Sequence, residues 1–330
     1  MATATLSRPG KGRNPIVAED MIAGWVFLIP SLIIFGLFLF GPVLYAFWLS
    51  LRDYQAINPS AARFVGLDNY QHALGNNDFH VALRNTVWYT LGVVPAQTFA
   101  GLLLAVLANR KIRGRSFFRT AFYFPSISSS VVISIIFLWI YSSNGLLNFV
   151  LRQVGLPTPK PVWLSNPRGI LEMALNGIGI GNVSDWFAGP SIAMLSIMML
   201  NVWTTTGTMM VIFLAGLQDV PGDVYEAASL DGASRVRQFR DITVPLLKPV
   251  TLFVVTLGLI GSFQVFDQIW VMSEGGPAKT TTTIAYLIYV EGFEQGRGLG
   301  YGSAIAVILF AIILTLFLVQ RRIAGGDNQR

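Results

Sequence analysis

The sequence has 330 residues, of which 53% are hydrophobic and only 12% are charged, and its mean hydropathy is +0.57. Soluble domains carry about 25% charged residues, so this composition argues against a soluble enzyme. The lack of Cys excludes disulfides, thiolate metal sites and Cys nucleophiles, and two His residues argue against a multi-histidine metal cluster. The net charge of +6 fits the basic cytoplasmic loops of a membrane protein better than nucleic-acid binding.

Six apolar segments are long enough to cross a membrane as helices, since one crossing needs about 20 apolar residues. Their continuous apolar runs favour helices over the alternating strands of a membrane β-barrel. The first segment is about twice as long as the apolar region of a signal peptide, which predicts a retained span. The six predicted spans are Met21–Leu51, Asn85–Ala108, Ala121–Tyr141, Pro190–Leu217, Val250–Met272 and Tyr301–Val319.

Lys and Arg residues predict the orientation of these spans. Fifteen of the 23 lie in segments 1–20, 109–120, 218–249 and 320–330, so the positive-inside rule places these segments and both termini in the cytoplasm. The predicted parts are an N-terminal tail (1–20), a first span with its external loop (21–84), a core transmembrane domain (85–319) and a C-terminal tail (320–330). We expect Arg110, Lys111, Arg113 and Arg115 to enforce topology and to contact anionic lipid.

Two loops stand out by length. The external segment 142–189 is rich in Gly, Pro and Asn, and a short helix is predicted near Ile170–Ala174. In the cytoplasmic loop 220–249, Asp223 and Glu226 are predicted to form a capping-box-like pair for a short helix over Tyr225–Leu230. Gly232 would stop that helix, and Ser234 would cap a second helix that reaches Phe239. The ordinary interpretation is a solvated amphipathic loop, but the small residues, clustered arginines and caps favour a surface that docks a partner.

This cytoplasmic loop resembles the EAA loop of ABC-importer permeases, and more narrowly that of the sugar-importer branch related to maltose and glycerol-3-phosphate permeases. The matching residues are Glu226-Ala227-Ala228, Asp231-Gly232-Ala233, Ile242 and Val244-Pro245-Leu246. External motifs of that branch are matched by Phe64-Val65-Gly66-Leu67-Asp68-Asn69-Tyr70, by Gly275-Gly276-Pro277 and by Thr280 to Thr283. The form of these motifs is more similar to the maltose-F or glycerol-3-phosphate-A type of permease than to its companion subunit.

The resemblance implies an all-α membrane protein with six transmembrane helices and the binding-protein-dependent ABC-importer permease (MetI-like) fold. It implies the permease subunit of an ATP-driven importer in a bacterial-type inner membrane, which translocates a mono-, di- or oligosaccharide or a sugar derivative. The implied partners are a second permease subunit, expected to be a different chain, two ATPase subunits and an extracytoplasmic solute-binding protein. The residues implied to contact the ATPase are Tyr225, Glu226, Ala227, Ala228, Asp231, Gly232 and Ala233.

The energy source is expected to lie outside this chain. A phosphate-binding loop would read G-x-x-x-x-G-K-[ST], and the only Gly-Lys pair, Gly10-Lys11, lacks the upstream Gly. We therefore expect that the chain is not an enzyme and holds no cofactor. ATP and Mg are expected in the partner ATPase subunits.

Two polar stripes inside predicted spans are candidate substrate surfaces, because polar residues in a span usually face the bundle interior. The fourth span places Asn201, Thr204, Thr205 and Thr208 on one helical face, although threonines in helices often bond only to their own backbone. The fifth span places Gly258, Gly261, Ser262 and Val265 on one face, where small residues equally suit tight helix packing. The resemblance implies substrate contacts at both sets, and the neighbouring stripe holds Gln264, Asp267 and Gln268.

Two other classes of protein are alternatives to an importer subunit. A secondary transporter driven by an ion gradient would carry paired intramembrane acids or broken helices, and the sequence offers only Asp267. A membrane-embedded enzyme would need a catalytic cluster at one membrane face, and the sequence offers none. His72 and His80 fall in an external loop, where a solvated role is expected.

Overall fold

The computed structural model describes residues 15–55, 60, 62–110, 113–179, 181, 184–294 and 298–325. Parts of the predicted tails (1–14 and 326–330), together with Lys111, lie outside the described residues. The described chain is almost entirely helical, as predicted. Its one pair of named strands, β1 (Arg52–Asp53) and β2 (Arg63–Phe64), is two residues long and antiparallel.

Sixteen α-helices are assigned within the described residues, several of them joined by π-helical turns. In the first half they are α1 (Pro15–Phe35), α2 (Gly41–Ser50), α3 (Asp68–Gly75), α4 (Asn77–Asn109), α5 (Arg115–Ile127), α6 (Ser130–Ile140), α7 (Leu146–Gln153) and α8 (Ile170–Gly177). In the second half they are α9 (Ile192–Gln218), α10 (Gly222–Leu230), α11 (Arg235–Gln238), α12 (Val244–Leu246), α13 (Lys248–Phe263), α14 (Asp267–Met272), α15 (Ile284–Tyr289) and α16 (Leu299–Gly325). The short helix predicted near Ile170 is confirmed as α8.

Four continuous helical segments are long and apolar enough to cross a membrane, and they match the first, second, fourth and sixth predicted spans. The second span begins earlier than predicted because the Asn76 side chain accepts the Asp78 amide N–H (2.9 Å) and starts α4 there. The segments are Met21–Ser50, Asn77–Asn109, Ile192–Gln218 and Leu299–Ile323.

The other two predicted spans are bent, which corrects the expectation of straight helices. Helices α5 and α6 meet at 96° because Ser128 is in an extended conformation, so a continuous helix over Ala121–Tyr141 was wrong. In the predicted span Val250–Met272, helix α13 ends at Phe263 and α14 starts only at Asp267. Segment Arg235–Leu246 also meets α13 at 67°, so the described chain holds four to six candidate spans.

Helices α4 and α9 form the centre of the bundle. Buried Tyr89 and Val93 of α4 pack with Met194 and Ile197 of α9 in a core that also includes Ile269 of α14. A second core joins α3, α4 and α16. A third joins α4, α9 and α13 at the end of the bundle next to loop 220–249. The apolar stretch of the first span is exposed from Met21 to Phe40, whereas its end at Leu49 and Ser50 is buried. That exposure is what a helix facing lipid or another subunit would show.

The two external motifs of the sequence fasten helix ends together. The Asn69 side-chain amide donates to the Ser50 and Arg52 carbonyls (both 2.9 Å), which holds α3 against the end of the first span. Gly275 has a φ of +79°, and a Cβ there would lie 2.6 Å from Thr282 Oγ1. The Asn85 amide donates to the Lys279 and Thr282 carbonyls (2.8 and 2.9 Å) and fixes this turn to α4. These motifs are therefore explained by packing alone.

Candidate coupling and substrate sites

The loop over residues 220–249, predicted to be cytoplasmic and called the coupling loop here, folds into a helix-turn-helix unit at one end of the bundle. Gly232 ends α10 in the left-handed conformation (φ +76°), as predicted, and the Ala233 N–H donates back to the Ala228 carbonyl (2.9 Å). The Ser234 hydroxyl caps α11 by accepting the Arg237 N–H (3.4 Å), also as predicted. The helical path then continues beyond the predicted end at Phe239 through a π-turn into α12.

The predicted capping box at the start of α10 is wrong. The N-cap residue is Pro221, which has no side-chain acceptor, and Asp223 lies inside the first helical turn. An acidic residue in the first turn still stabilises the helix through its dipole. Glu226 is exposed and does not close a capping box, so its carboxylate is available to a partner.

The loop residues divide into an inward set and an outward set. Tyr225 faces inward, where its hydroxyl lies 3.0 Å from Thr243 Oγ1, and Ala228 and Ala233 are half-buried beside it. The remaining residues implied to contact an ATPase are exposed on the outer side: Glu226, Ala227, Asp231 and Gly232. Tyr225 therefore fastens the loop to the bundle, and the outer set forms the surface that a partner could reach.

Two apolar residues on this outer surface were missed by the sequence reasoning. Leu230 is 89% exposed at the end of α10, and Val236 is 77% exposed on α11. An apolar residue at an exposed position of an amphipathic helix was the signal that could have found them. Beside them, Arg240 donates a hydrogen bond to Asp241 (2.6 Å), which lowers the pKa of that carboxyl and keeps it ionised.

The polar face of the fourth span is half-buried, and most of its hydroxyls are satisfied within the protein. The Thr204 and Thr205 hydroxyls donate to the Asn201 carbonyl (2.9 and 2.8 Å), as threonines in helices often do. Thr208 is tied to α5, because its N–H donates to the Ser126 hydroxyl (3.1 Å). The Asn201 side-chain amide and the Thr208 hydroxyl have no hydrogen-bond partner among the described residues, so they are the groups on this face best able to bind a ligand.

The fifth-span stripe is split between packing and exposure. Ser262 and Val265 are each 4% exposed, and Val265 belongs to the central core, so this conformation covers both side chains. Gly261, Gln264 and Asp267 are exposed. Because α13 ends between them, Asp267 lies in the first turn of α14 rather than within a continuous span.

A buried junction links the two stripes and was also missed. Gln97 of α4 is 2% exposed, and its Oε1 accepts a hydrogen bond from the Thr205 hydroxyl (2.6 Å). Its amide nitrogen lies 2.4 Å from where a Cβ on Gly258 would be. Gly258 is therefore small because Gln97 fills the space beside it. A buried glutamine in an apolar helix was the signal in the sequence.

The chain matches the model of the family described as "binding-protein-dependent transport system inner membrane component" over residues 97–325. That match covers more than half of the chain. This protein belongs to that family of transporter permeases. Family membership excludes the secondary transporter and the membrane-embedded enzyme, even though two spans are broken as the former would predict. It also makes the chain a multi-pass inner-membrane protein.

Two relatives are similar over almost their whole length. A probable ABC transporter permease of Bacillus subtilis, YurN, is 33% identical over 310 residues, which cover 93% of this chain and 97% of the relative. The arabinooligosaccharides transport permease AraP of the same organism is 32% identical over 319 residues, covering 96% and 92%. One chain of a bacterial alginate ABC transporter, crystallised with an alginate pentasaccharide-bound periplasmic protein, matches with a TM-score of 0.74 at 20% identity, covering 96% and 98%. This last likeness supports the fold.

Proposed function

We propose that this permease is one membrane-spanning subunit of an ATP-driven sugar importer and crosses the membrane six times, with α5 and α6 forming one bent span and α13 and α14 forming another. A periplasmic binding protein would deliver the sugar, and a second permease chain would complete the channel. The relatives named for sugar transport support this substrate class, among them permeases for arabinooligosaccharides, trehalose/maltose and lactose. The alginate transporter bound to its periplasmic protein supports a solute-binding partner.

The observation that carries the proposal is the outward face of the coupling loop. Here an acidic side chain (Glu226), a tight turn (Gly232) and two exposed apolar side chains (Leu230 and Val236) lie together on a capped unit. An exposed Leu in water gains nothing, whereas the same Leu in a partner's cleft buries apolar surface worth about 1.5–3 kcal/mol. Two ATPase subunits with bound ATP and Mg would dock here and move the loop as they close.

The sugar is proposed to contact the residues that remain reachable in the two spans. These are the Asn201 amide and the Thr208 hydroxyl on α9, and the exposed Gly261, Gln264 and Asp267 around the break between α13 and α14. Amide and carboxylate groups suit sugar hydroxyls, because each hydroxyl both donates and accepts hydrogen bonds. Ser262 and Val265 are covered, and the Thr204 and Thr205 hydroxyls are already bonded, so these four residues would join the site only after a rearrangement of the helices.

The experiment places a charge on the proposed docking surface. Leu230→Glu should abolish sugar uptake and lower copurification of the ATPase, while the amount of inserted permease stays normal because Leu230 packs against nothing in this chain. Leu156→Glu is the matched control, since Leu156 is also exposed (55%) but lies in the external segment 142–189. Normal uptake and normal ATPase recovery with Leu230→Glu would contradict the coupling proposal.

A further inference from the structure

An apolar groove of about 660 Å³ lies between α4, α5 and α9. Its walls are formed by small and apolar side chains such as Ala96, Ala100, Leu103, Phe122 and Met199. The lining hydroxyl, that of Thr206, is already bonded to the Val202 carbonyl. Besides that hydroxyl, the described lining offers a sugar only the Trp203 indole, so the groove differs in chemistry from the proposed substrate surface.

The groove ends beside a cluster of arginines on the coupling-loop side. Arg115, Arg119 and Phe122 lie at positions i, i+4 and i+7 of α5, so the two guanidiniums follow the groove-lining Phe122 along one helix face. Both donate through Nε to the same carbonyl, that of Ala108, at 3.0 and 3.3 Å. Ala108 lies one turn beyond the groove-lining Leu104 on α4. Two helices therefore lead from the apolar groove to one cationic end.

Capping the end of α4 accounts for only part of this arrangement. Cations near a helix C-terminus stabilise its free carbonyls, and the two Nε–H groups do this. The Arg119 Nη2 atom, however, is buried and has no hydrogen-bond partner among the described residues. No ion pair with a carboxylate of the described residues is formed by these four arginines: Arg110, Arg113, Arg115 and Arg119. Two guanidiniums thus lie at one end of the groove without a carboxylate partner among the described residues, and Arg110 and Arg113 belong to the connection between α4 and α5.

We infer that this is a binding site for an anionic phospholipid of the leaflet on the coupling-loop side. Its phosphate would accept hydrogen bonds from the Nη groups of Arg115 and from the Arg119 guanidinium, whose buried Nη2 would gain a partner as that side chain turns toward the head group. One acyl chain would lie in the groove. Basic pockets between transmembrane helices bind anionic head groups in this way, and guanidinium matches phosphate geometry. The site extends beyond sugar transport and does not depend on which sugar is carried.

The competing occupant is a helix of the companion permease. Such a helix would have to bring an acidic side chain to the guanidiniums and fill the groove with its own apolar residues. The lipid is favoured because it supplies both groups in one molecule and reaches the groove from the bilayer. A cysteine on the groove wall would cross-link to the companion permease in one case and to a lipid in the other.

The test uses the intact importer complex, purified in detergent and incubated with phosphatidylglycerol or phosphatidylcholine of identical acyl chains. Native mass spectrometry counts the retained lipids. The wild type should retain phosphatidylglycerol preferentially, and Arg115→Gln with Arg119→Gln should lower that retention by about fivefold or more per charge removed. Arg322→Gln is the matched control, because Arg322 is exposed near the end of α16, a helix that does not line the groove. It should retain the lipid as the wild type does.

A second variant tests the groove without removing charge, in case the double variant fails to assemble. Ala96→Phe should fill the groove and lower phosphatidylglycerol retention, although all four arginines remain. Equal retention by the wild type and the double variant, or equal retention of the two lipids, would overturn the site. A cross-link from Ala121→Cys, on the groove wall, would also decide between the two occupants. Cross-linking to the companion permease, in place of a photoreactive lipid, would overturn the site. The chain has no Cys of its own to interfere.

Discussion

At the scale of single residues, hydrogen bonds within the protein distinguish the side chains that can bind a ligand from those that hold the helices together. The helical spacing correctly places Asn201, Thr204, Thr205 and Thr208 on one face, yet spacing cannot tell which hydroxyls the protein uses itself. The Thr204 and Thr205 hydroxyls donate hydrogen bonds to the helix backbone, whereas the Asn201 side-chain amide has no partner among the described residues. This is why a stripe was predictable from the sequence and its reachable member was not.

Asn201→Ala should therefore weaken the apparent sugar affinity rather than the fold. A sugar hydroxyl left unpaired costs about 1–3 kcal/mol, or roughly a 5- to 150-fold rise in the half-saturating sugar concentration. Uptake kinetics and the yield of intact complex should be measured together. Thr315→Val serves as control, because the Thr315 hydroxyl bonds its own helix (2.7 Å to Ala311) on α16. Reduced assembly with unchanged affinity would assign Asn201 to packing.

The junction of Gln97, Thr205 and Gly258 predicts a stability effect instead. Gly258→Ala would place a methyl group 2.4 Å from the Gln97 amide, and overpacking of this kind costs about 1–3 kcal/mol. Gly261→Ala, on the same helix, meets nothing within 4 Å. Thermal denaturation of the purified complex should show a lower midpoint for the first variant and no change for the second. Equal midpoints would mean that the junction is not tightly packed.

At the scale of helices, local chemistry was predicted well and breaks were not. Gly232 and Ser234 act through their own backbone and the next turn, so the sequence could reveal both. The break at Ser128 could not be predicted, because serines are tolerated within apolar helices and the bend depends on packing against α9. The Asp223 N-cap failed because Pro221 already fixes the backbone conformation that an N-cap residue needs.

Gly232 offers a test of the turn that separates backbone strain from docking. A side chain at φ +76° costs roughly 1–2 kcal/mol for most residues, but Asn tolerates this conformation. Gly232→Val should therefore reduce sugar uptake strongly, whereas Gly232→Asn should keep the turn. Within this chain a Cβ at Gly232 meets nothing within 4 Å, so neither variant clashes internally. Loss of uptake in both variants, with normal membrane insertion, would show that the partner requires the bare backbone at this position.

At the scale of the whole molecule, the exposed apolar surfaces and the clustered charges are those expected of one part of a larger assembly. The first span is uncovered from Met21 to Phe40, and the coupling loop presents apolar side chains to water. Composition, spans and motifs were readable from the sequence because each depends on residues close together in the chain. The junction at Gln97 and the uncovered surfaces were not readable, because they depend on which helices meet in three dimensions.

The absence of Cys makes the proposed orientation directly testable by single-Cys labelling with a membrane-impermeant maleimide. Leu230→Cys in the coupling loop and Ile178→Cys in the external segment are both highly exposed, at 89% and 72%. In right-side-out vesicles that hold the permease without the ATPase subunits, Ile178→Cys should react and Leu230→Cys should not, and inside-out vesicles should reverse the pattern. Phe117→Cys and Leu146→Cys bracket the bent pair α5–α6. They should label from opposite sides because the pair forms one crossing, whereas labelling of both from one side would make the pair a re-entrant loop and reduce the number of spans.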